Sequence, residues 1–106
     1  MKKSEKSEIS KEFARLRNFG FDVYNFNDYR PMYGGKRDFV DHVLVSKKYH
    51  IYIEVKIGED KLTDGQKRLA EKISHLSTTN PSIHYRLVRT LKEAKSLVNL
   101  LLAKKL

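Results

Sequence analysis

DHVLV (residues 41–45) and IYIEVKI (residues 51–57) are the segments that decide the fold, because together they read as the two strands of a β-hairpin. In the second segment apolar residues alternate with others, as in a strand with one buried face. A turn centred on residues 47 and 48 places Val45 opposite His50 and, counting outward, Asp41 opposite Glu54. Directly opposed residues share a face, with Cβ atoms about 4.5–5.5 Å apart. The hairpin therefore predicts two adjacent carboxylates, with Lys56 beside them.

Two carboxylates at this separation repel each other unless a cation lies between them. A divalent metal ion would meet that need. The competing interpretation is a solvated strand face with cross-strand ion pairs, which contribute little to stability. Against it, the residue opposite Glu54 is another acid, and helices are expected to cover both faces of the sheet.

The composition limits the class of protein. The chain has 106 residues, with 22 Lys and Arg against 13 Asp and Glu, a formal charge of +9. We expect one domain over residues 1–106, with residues 1–7 flexible, and a polyanionic partner such as nucleic acid. The absence of cysteine excludes disulfides and thiolate zinc sites. Without an apolar run of membrane-spanning length or a signal-peptide pattern, we expect a soluble, cytoplasmic protein with no membrane partner.

Hydrophobic periodicity gives the element order. A helix capped by Ser4 or Ser7 runs to about Phe19, and strands follow at 21–26, 41–45 and 51–57. A second helix begins after Thr63, a fourth strand covers 83–88, and a last helix covers 91–102. The order α-β-β-β-α-β-α predicts an α/β (α+β) fold, with a four-stranded mixed sheet flanked by helices.

Three polar residues lie on the inward faces of the predicted helices. Glu12 falls inside the apolar arc of the first helix and Glu8 at its edge, where a carboxylate costs free energy unless it is paired or metal-bound. Either Glu12 has a functional role, or it borders the core and pairs with Arg15. Gln66 is the polar member of the apolar stripe on the second helix, where it is either a satisfied amide at the core edge or part of a site.

The loop before the hairpin mixes aromatic and cationic side chains. Arg30, Lys36 and Arg37 suit contact with a phosphate backbone or unstacked bases. The alternative is a turn-rich connection whose aromatics cover the edge of the core. Lys61, in the loop after the hairpin, is a further candidate for DNA contact.

Asp41, Glu54, Val55 and Lys56 together resemble the active-site motif of the PD-(D/E)xK nuclease superfamily. The segment GKRD (residues 35–38) also resembles the G-x-P-D entry to the motif's first strand, with Arg37 where proline is usual, so Asp38 is the alternative to Asp41. The run KLTDGQ (residues 61–66) is similar to the x-L-S/T-x-x-Q segment of the virus-type replication-repair nuclease (VRR-NUC) branch. In element order the resemblance extends from Glu8 to about Leu102.

The resemblance implies a restriction-endonuclease-like core and a metal-dependent DNA endonuclease that uses Mg²⁺ or Mn²⁺. It assigns the metal to Asp41 (or Asp38), Glu54 and the Val55 carbonyl. Lys56 would position the attacking water or stabilise charge. Glu12 (or Glu8) would bind a second metal or orient a water, and Gln66 would support the site.

The branch implies cleavage of branched or nicked DNA, in a protein of phage or mobile-element type related to Holliday-junction resolvases. Those relatives act as homodimers, for which the predicted surface here is the last helix with Leu97, Leu100 and Leu102. The alternative is a catalytically inactive nuclease fold that binds DNA or serves assembly. A restriction-type or RNA-directed nuclease is the third interpretation. Metal-dependent cutting separates the first interpretation from the second.

Overall fold

Three helices and four strands make up the part of the chain that a computed structural model describes, residues 4–26 and 39–106. The helices are α1 (Glu5–Ala14), α2 (Asp64–Thr79) and α3 (Leu91–Leu102), and a 3₁₀ turn (Arg15–Phe19) follows α1. The strands are β1 (Asp22–Asn25), β2 (His42–Val45), β3 (His50–Val55) and β4 (Ile83–Val88).

The strands lie side by side in chain order, β1-β2-β3-β4. Strand β2 is antiparallel to both β1 and β3, whereas β4 runs parallel to β3 after a crossover through α2. The predicted four-stranded mixed sheet of an α+β fold is therefore confirmed. The hairpin register is confirmed too, since Val45 pairs with His50 and His42 with Ile53.

Helices cover both faces of the sheet, which makes three layers. One face packs on α1 and α3, and its core includes Ile9, Phe13, Ile51, Ile53 and Val98. The other face packs on α2 through a smaller cluster that contains Val43, Tyr52, Leu69, Ile73 and Tyr85. Because successive residues of a strand point to opposite faces, the Asp41 and Glu54 positions belong to the α2 side.

The side chain after Asp41 shows this division of faces directly. His42 is buried, and its ring lies 5.2 Å from that of Phe13 on α1. His42 therefore points to the α1 side, away from the carboxylates.

The first helix begins at one of its two predicted caps and departs from the prediction in its last turn. Ser4 is the N-cap, and its hydroxyl accepts from Ser7 N, so the helix begins inside the segment that we expected to be flexible. Its α-helical part stops at Ala14, and the chain continues as a 3₁₀ turn to Gly20, whose φ of 88° places it in the left-handed region.

The predicted dimer surface on α3 is largely part of the core. Leu97 is buried and Leu102 packs against the core, so only Leu100 of the three leucines is strongly exposed, at 42%. The helical repeat explains the error, since Leu97 falls on the inward stripe with Ala94, Val98 and Leu101. No helix among residues 4–26 and 39–106 has both the length and the hydropathy needed to cross a membrane.

Candidate active site

A pair of buried carboxylates lies at the end of the β2–β3 hairpin. Asp41 is 4% exposed and Glu54 is 2% exposed. They occupy the positions one step beyond His42–Ile53, the last pair of the ladder, so the predicted juxtaposition follows from the observed register. Burial of two acids is costly unless hydrogen bonds or cations compensate their charge.

Backbone hydrogen bonds hold Asp41 between two strands. Phe26 N donates to Asp41 O at 2.9 Å, and Asp41 N donates to Ile53 O at 3.0 Å. Beyond the end of the ladder the Asp41 side chain serves as the acceptor in place of a backbone carbonyl: Val55 N donates to Asp41 Oδ2 at 2.7 Å. This charge-assisted bond places the carboxylate across the middle residue of the Glu54-Val55-Lys56 tripeptide.

The first turn of α2 is tied to Glu54 through Gln66. Thr63 and Gln66 form a capping box: Thr63 Oγ1 accepts from Gln66 N at 3.1 Å, and Gln66 Oε1 accepts from Thr63 N at 2.9 Å. With its carbonyl oxygen used in this way, the amide of Gln66 presents Nε2 to Glu54 Oε1, 3.3 Å away. Gln66 is therefore both a helix cap and a buried neighbour of the acid pair, as its inward position predicted.

Tyr85 is a further member of the site. Tyr52 pairs with Tyr85 and Glu54 with Leu87, so Tyr85 lies on the Glu54 face of the neighbouring strand. Burial, and after it the negative charges of Glu54 and Asp41, raise the pKa of Tyr85 to about 12. Its hydroxyl oxygen is buried and has no hydrogen-bond partner among the described residues. The parallel register between β3 and β4 is the signal that identifies Tyr85, and strand alternation alone does not provide that register.

Lys56 follows Glu54 by two residues and is partly exposed. Its backbone N donates to Val88 O at 3.0 Å, so the chain stays paired with β4 as far as this residue. Strand alternation then directs the Lys56 side chain to the same face as Glu54. A partly exposed lysine on the sheet face of two buried carboxylates is accessible to an anionic substrate.

Arg89 organises the loop that leaves the site. Its Nη1 lies 3.5 Å from Lys56 O, and it donates to Gly58 O at 3.0 Å and to Asp60 O at 2.8 Å. Three carbonyls on one guanidinium hold the turn that begins at Lys56 and leads to the exposed Lys61. Local sequence patterns do not reveal Arg89 as a site residue, because this contact joins segments about thirty residues apart.

Glu12 and Glu8 do not join the carboxylate pair. Glu12 is buried, as the helical wheel predicted, but its carboxylate accepts from Arg15 Nη1. Glu8 is partly exposed, and its Oε1 lies 4.0 Å from Lys11 Nζ. The α1 helix packs on the sheet face opposite Asp41 and Glu54, which accounts for the separation. Pairing with Arg15, the alternative left open by the sequence, is the one observed.

The remaining predicted residues lie outside the described ranges. They are Asp38, the alternative to Asp41, and the DNA-contact candidates Arg30, Lys36 and Arg37. These assignments stay predictions, as does that of the Val55 carbonyl as a metal ligand.

The buried acids offer only oxygen donors. Two carboxylates, with a phenol hydroxyl nearby, are all oxygen groups, which Mg²⁺ and Mn²⁺ prefer over nitrogen or sulfur. Within residues 4–26 and 39–106, no three or more His, Asp or Glu side chains are grouped so as to hold a metal ion. Asp41 and Glu54 would thus act as a two-carboxylate site, a number that suits a Mg²⁺ ion retaining several waters.

Comparison with protein-family models, with curated proteins and with solved structures gave no match to this chain.

Proposed function

We propose that this protein is a metal-dependent endonuclease that hydrolyses phosphodiester bonds in DNA. One observation carries the proposal: Asp41 and Glu54, both buried, lie together at the end of a hairpin whose next outward-facing residue on the same side is Lys56. Such a set combines ligands for a cation with a separate positive charge for the substrate. The formal charge of +9 adds a general attraction to the phosphate backbone.

Asp41 and Glu54 would hold Mg²⁺ or Mn²⁺ between them. A metal ion bound there would activate a water and neutralise charge on the phosphate in the transition state. Lys56 would stabilise the same negative charge from the solvent side. Gln66 keeps the Glu54 carboxylate oriented, and the bond from Val55 N keeps Asp41 oriented, so that neither side chain needs to rearrange when the cation binds.

The resemblance to the VRR-NUC and Holliday-junction-resolvase-like nucleases supports branched or nicked DNA as the substrate. It also supports the restriction-endonuclease-like topology, a phage or mobile-element role, and a homodimer. The sheet order and the helices on both faces agree with that topology at the coarser level of an α+β fold.

A second candidate is a nuclease-fold protein that binds DNA without cutting it. The observation that favours this candidate is the engagement of Glu12 by Arg15, because the third acid expected from the first helix is then used in an ion pair. In this case the role of Asp41, Glu54 and Lys56 would be structural only.

The test is cleavage of end-labelled four-way junction, flap and linear duplex DNA in Mg²⁺, Mn²⁺ or EDTA. We expect cutting that needs metal, favours the branched substrates and falls by at least about 100-fold in Glu54→Gln and Lys56→Ala. Glu71→Gln, which neutralises an exposed glutamate on α2, is the matched control and should cut normally. Wild-type cutting by Glu54→Gln would overturn the proposal. DNA binding with no cutting in either metal would establish the second candidate.

A further inference from the structure

A cavity of about 470 Å³ lies at the opposite end of the hairpin from Asp41 and Glu54. Its walls are residues 19–21 at the end of the 3₁₀ turn, the β2–β3 turn at residues 46–49, and the C-terminal end of α3. The volume falls within the range of small-molecule sites. Tyr49 and Glu54 are five positions apart along an extended chain, a distance of about 16 Å. The cavity is therefore a separate feature and not an extension of the acid pair.

One wall of this cavity carries an exposed aromatic side chain. Phe19 is 58% exposed, the highest value among the large hydrophobic side chains that the structure describes. Leu101 and Leu102 add an apolar wall from α3. An exposed phenyl ring beside an apolar wall is a surface on which a planar group can stack.

Lysines supply the charge around the aromatic wall. Lys47, Lys48 and Lys104 line the cavity, and no acidic residue does so among the described residues. Lys48 Nζ lies 5.3 Å from the centre of the Tyr49 ring and donates to Lys104 O at 3.4 Å, so this ammonium is held at the cavity. The lining thus combines stacking surface with positive charge, which selects a planar anionic ligand.

Tyr49 adds a polar group that lacks a partner. The residue is 3% exposed and lines the cavity, yet its hydroxyl has no hydrogen-bond partner among the described residues. His84, whose ring lies 5.8 Å from that of Tyr49, has an equally unpartnered Nε2. Buried polar groups are rarely left unsatisfied. Both atoms are closed to solvent, so they belong to the wall of the cavity and not to its open face.

We infer that this cavity binds one nucleotide unit of single-stranded DNA, with its base on Phe19 and its phosphates at Lys47, Lys48 and Lys104. The choice of DNA among planar anionic ligands rests on the proposed function. A base within a duplex is stacked and paired and has to leave the stack to enter a pocket, so an unpaired arm is the form of DNA that fits. The substrate class is then branched or gapped DNA with a single-stranded arm that reaches about 16 Å from the cleavage site.

The experiment measures binding of a labelled oligothymidylate and of a blunt duplex of equal length, by fluorescence anisotropy in EDTA. All proteins carry Glu54→Gln, so the result does not depend on cutting, and a failure of cleavage would leave this test intact. The variants are Phe19→Ala, Lys47→Gln and Lys48→Gln. Leu76→Ala is the control, because Leu76 is 51% exposed on α2, away from the cavity lining. Thermal melting verifies that each variant is folded.

We expect Phe19→Ala to weaken binding of the oligothymidylate by about five- to 150-fold, the range for loss of one stacked base, and duplex binding to change less than about twofold. Lys47→Gln and Lys48→Gln should weaken binding of the oligothymidylate more than binding of the duplex, and Leu76→Ala should change neither. Equal weakening of single strand and duplex would overturn the inference. So would unchanged oligothymidylate binding in all three cavity variants.

Discussion

Replacing Gln66 tests the link between helix α2 and the carboxylate pair. Gln66→Glu preserves the length of the side chain and the oxygen that accepts from Thr63 N, so the capping box is retained. It removes the Nε2 donor that lies 3.3 Å from Glu54 Oε1 and puts a third carboxylate in its place. Thr63→Ala is the matched control, because it removes the hydroxyl half of the cap and keeps the Gln66 Nε2 donor to Glu54.

The expected magnitudes follow from these contacts. Thr63→Ala should lower the free energy of unfolding by about 1 kcal/mol, the usual effect of losing an N-cap. Two charges about 4 Å apart interact by about 4 kcal/mol at an effective dielectric constant of 20, and a negative charge in the first turn of a helix recovers about 0.5 kcal/mol. Gln66→Glu should therefore destabilise the protein by about 3.5 kcal/mol, a fall in Tm of roughly 14–28 °C.

The assay is urea unfolding followed by circular dichroism in EDTA at neutral pH, for each variant alone and with Glu54→Gln. In the Glu54→Gln background the repulsion is gone, so Gln66→Glu should cost less than about 1 kcal/mol. Equal destabilisation by Gln66→Glu in both backgrounds would show that Gln66 does not contact Glu54, and the described site would be wrong at that point.

Three further predictions concern Tyr85, Lys104 and Arg89. Because burial and the charge of Glu54 raise the pKa of Tyr85 to about 12, Glu54→Gln should lower that pKa. The pKa is measured from the tyrosinate absorbance that is present in the wild type and missing in Tyr85→Phe. An unchanged value would contradict the placement of the two side chains. Since the pKa in the folded state exceeds the ordinary value of about 10, the stability of the wild type relative to Tyr85→Phe should be greatest below pH 10 and fall as pH rises from 10 to 12. Lys104 has a φ of 57°, so Lys104→Gly should raise the free energy of unfolding by about 0.5 kcal/mol in urea, and a loss would count against this conformation. Arg89→Ala should speed amide hydrogen exchange in residues 56–61 and leave that of β3 unchanged, whereas equal rates in the loop would mean that Arg89 does not hold it.

The hairpin could be predicted because its information is local. Alternation from Ile51 to Ile57 defined the strand faces, and a short turn at residues 47 and 48 left one register that paired the strands. The burial of Glu54 does not follow from this alternation, which puts Glu54 on the face opposite Ile51 and Ile53; it comes from the packing of α2 on that face. The bond from Val55 N to Asp41 Oδ2 could not be predicted, since it forms where the ladder stops, and strand ends are set by tertiary contacts.

Glu12 shows the limit of a helical wheel. The wheel placed Glu12 among buried residues, and the residue is 8% exposed. It gives the direction of a side chain about its own helix but not the sheet face on which that helix packs. The α1 helix covers the face of His42, so Glu12 pairs with Arg15 and stays away from Asp41 and Glu54.

Tyr85 and Arg89 depend on contacts between distant segments. The alternation of β4 was visible in the sequence, but the pairing of Tyr85 with Tyr52 needs the parallel register that the α2 crossover creates. Arg89 likewise reaches loop carbonyls about thirty residues earlier in the chain. Single-sequence patterns carry no information on such pairings.

The most direct test of the central claim is a titration with Mn²⁺ followed by electron paramagnetic resonance, in which the signal of free Mn²⁺ falls as the ion binds. We predict one bound ion per chain in the wild type and in the control Glu71→Gln, and at least tenfold weaker binding in Asp41→Asn and Glu54→Gln. Circular dichroism would show that both variants are folded. Wild-type affinity for Mn²⁺ in a folded Glu54→Gln protein would contradict the claim that the buried carboxylate pair is a metal site.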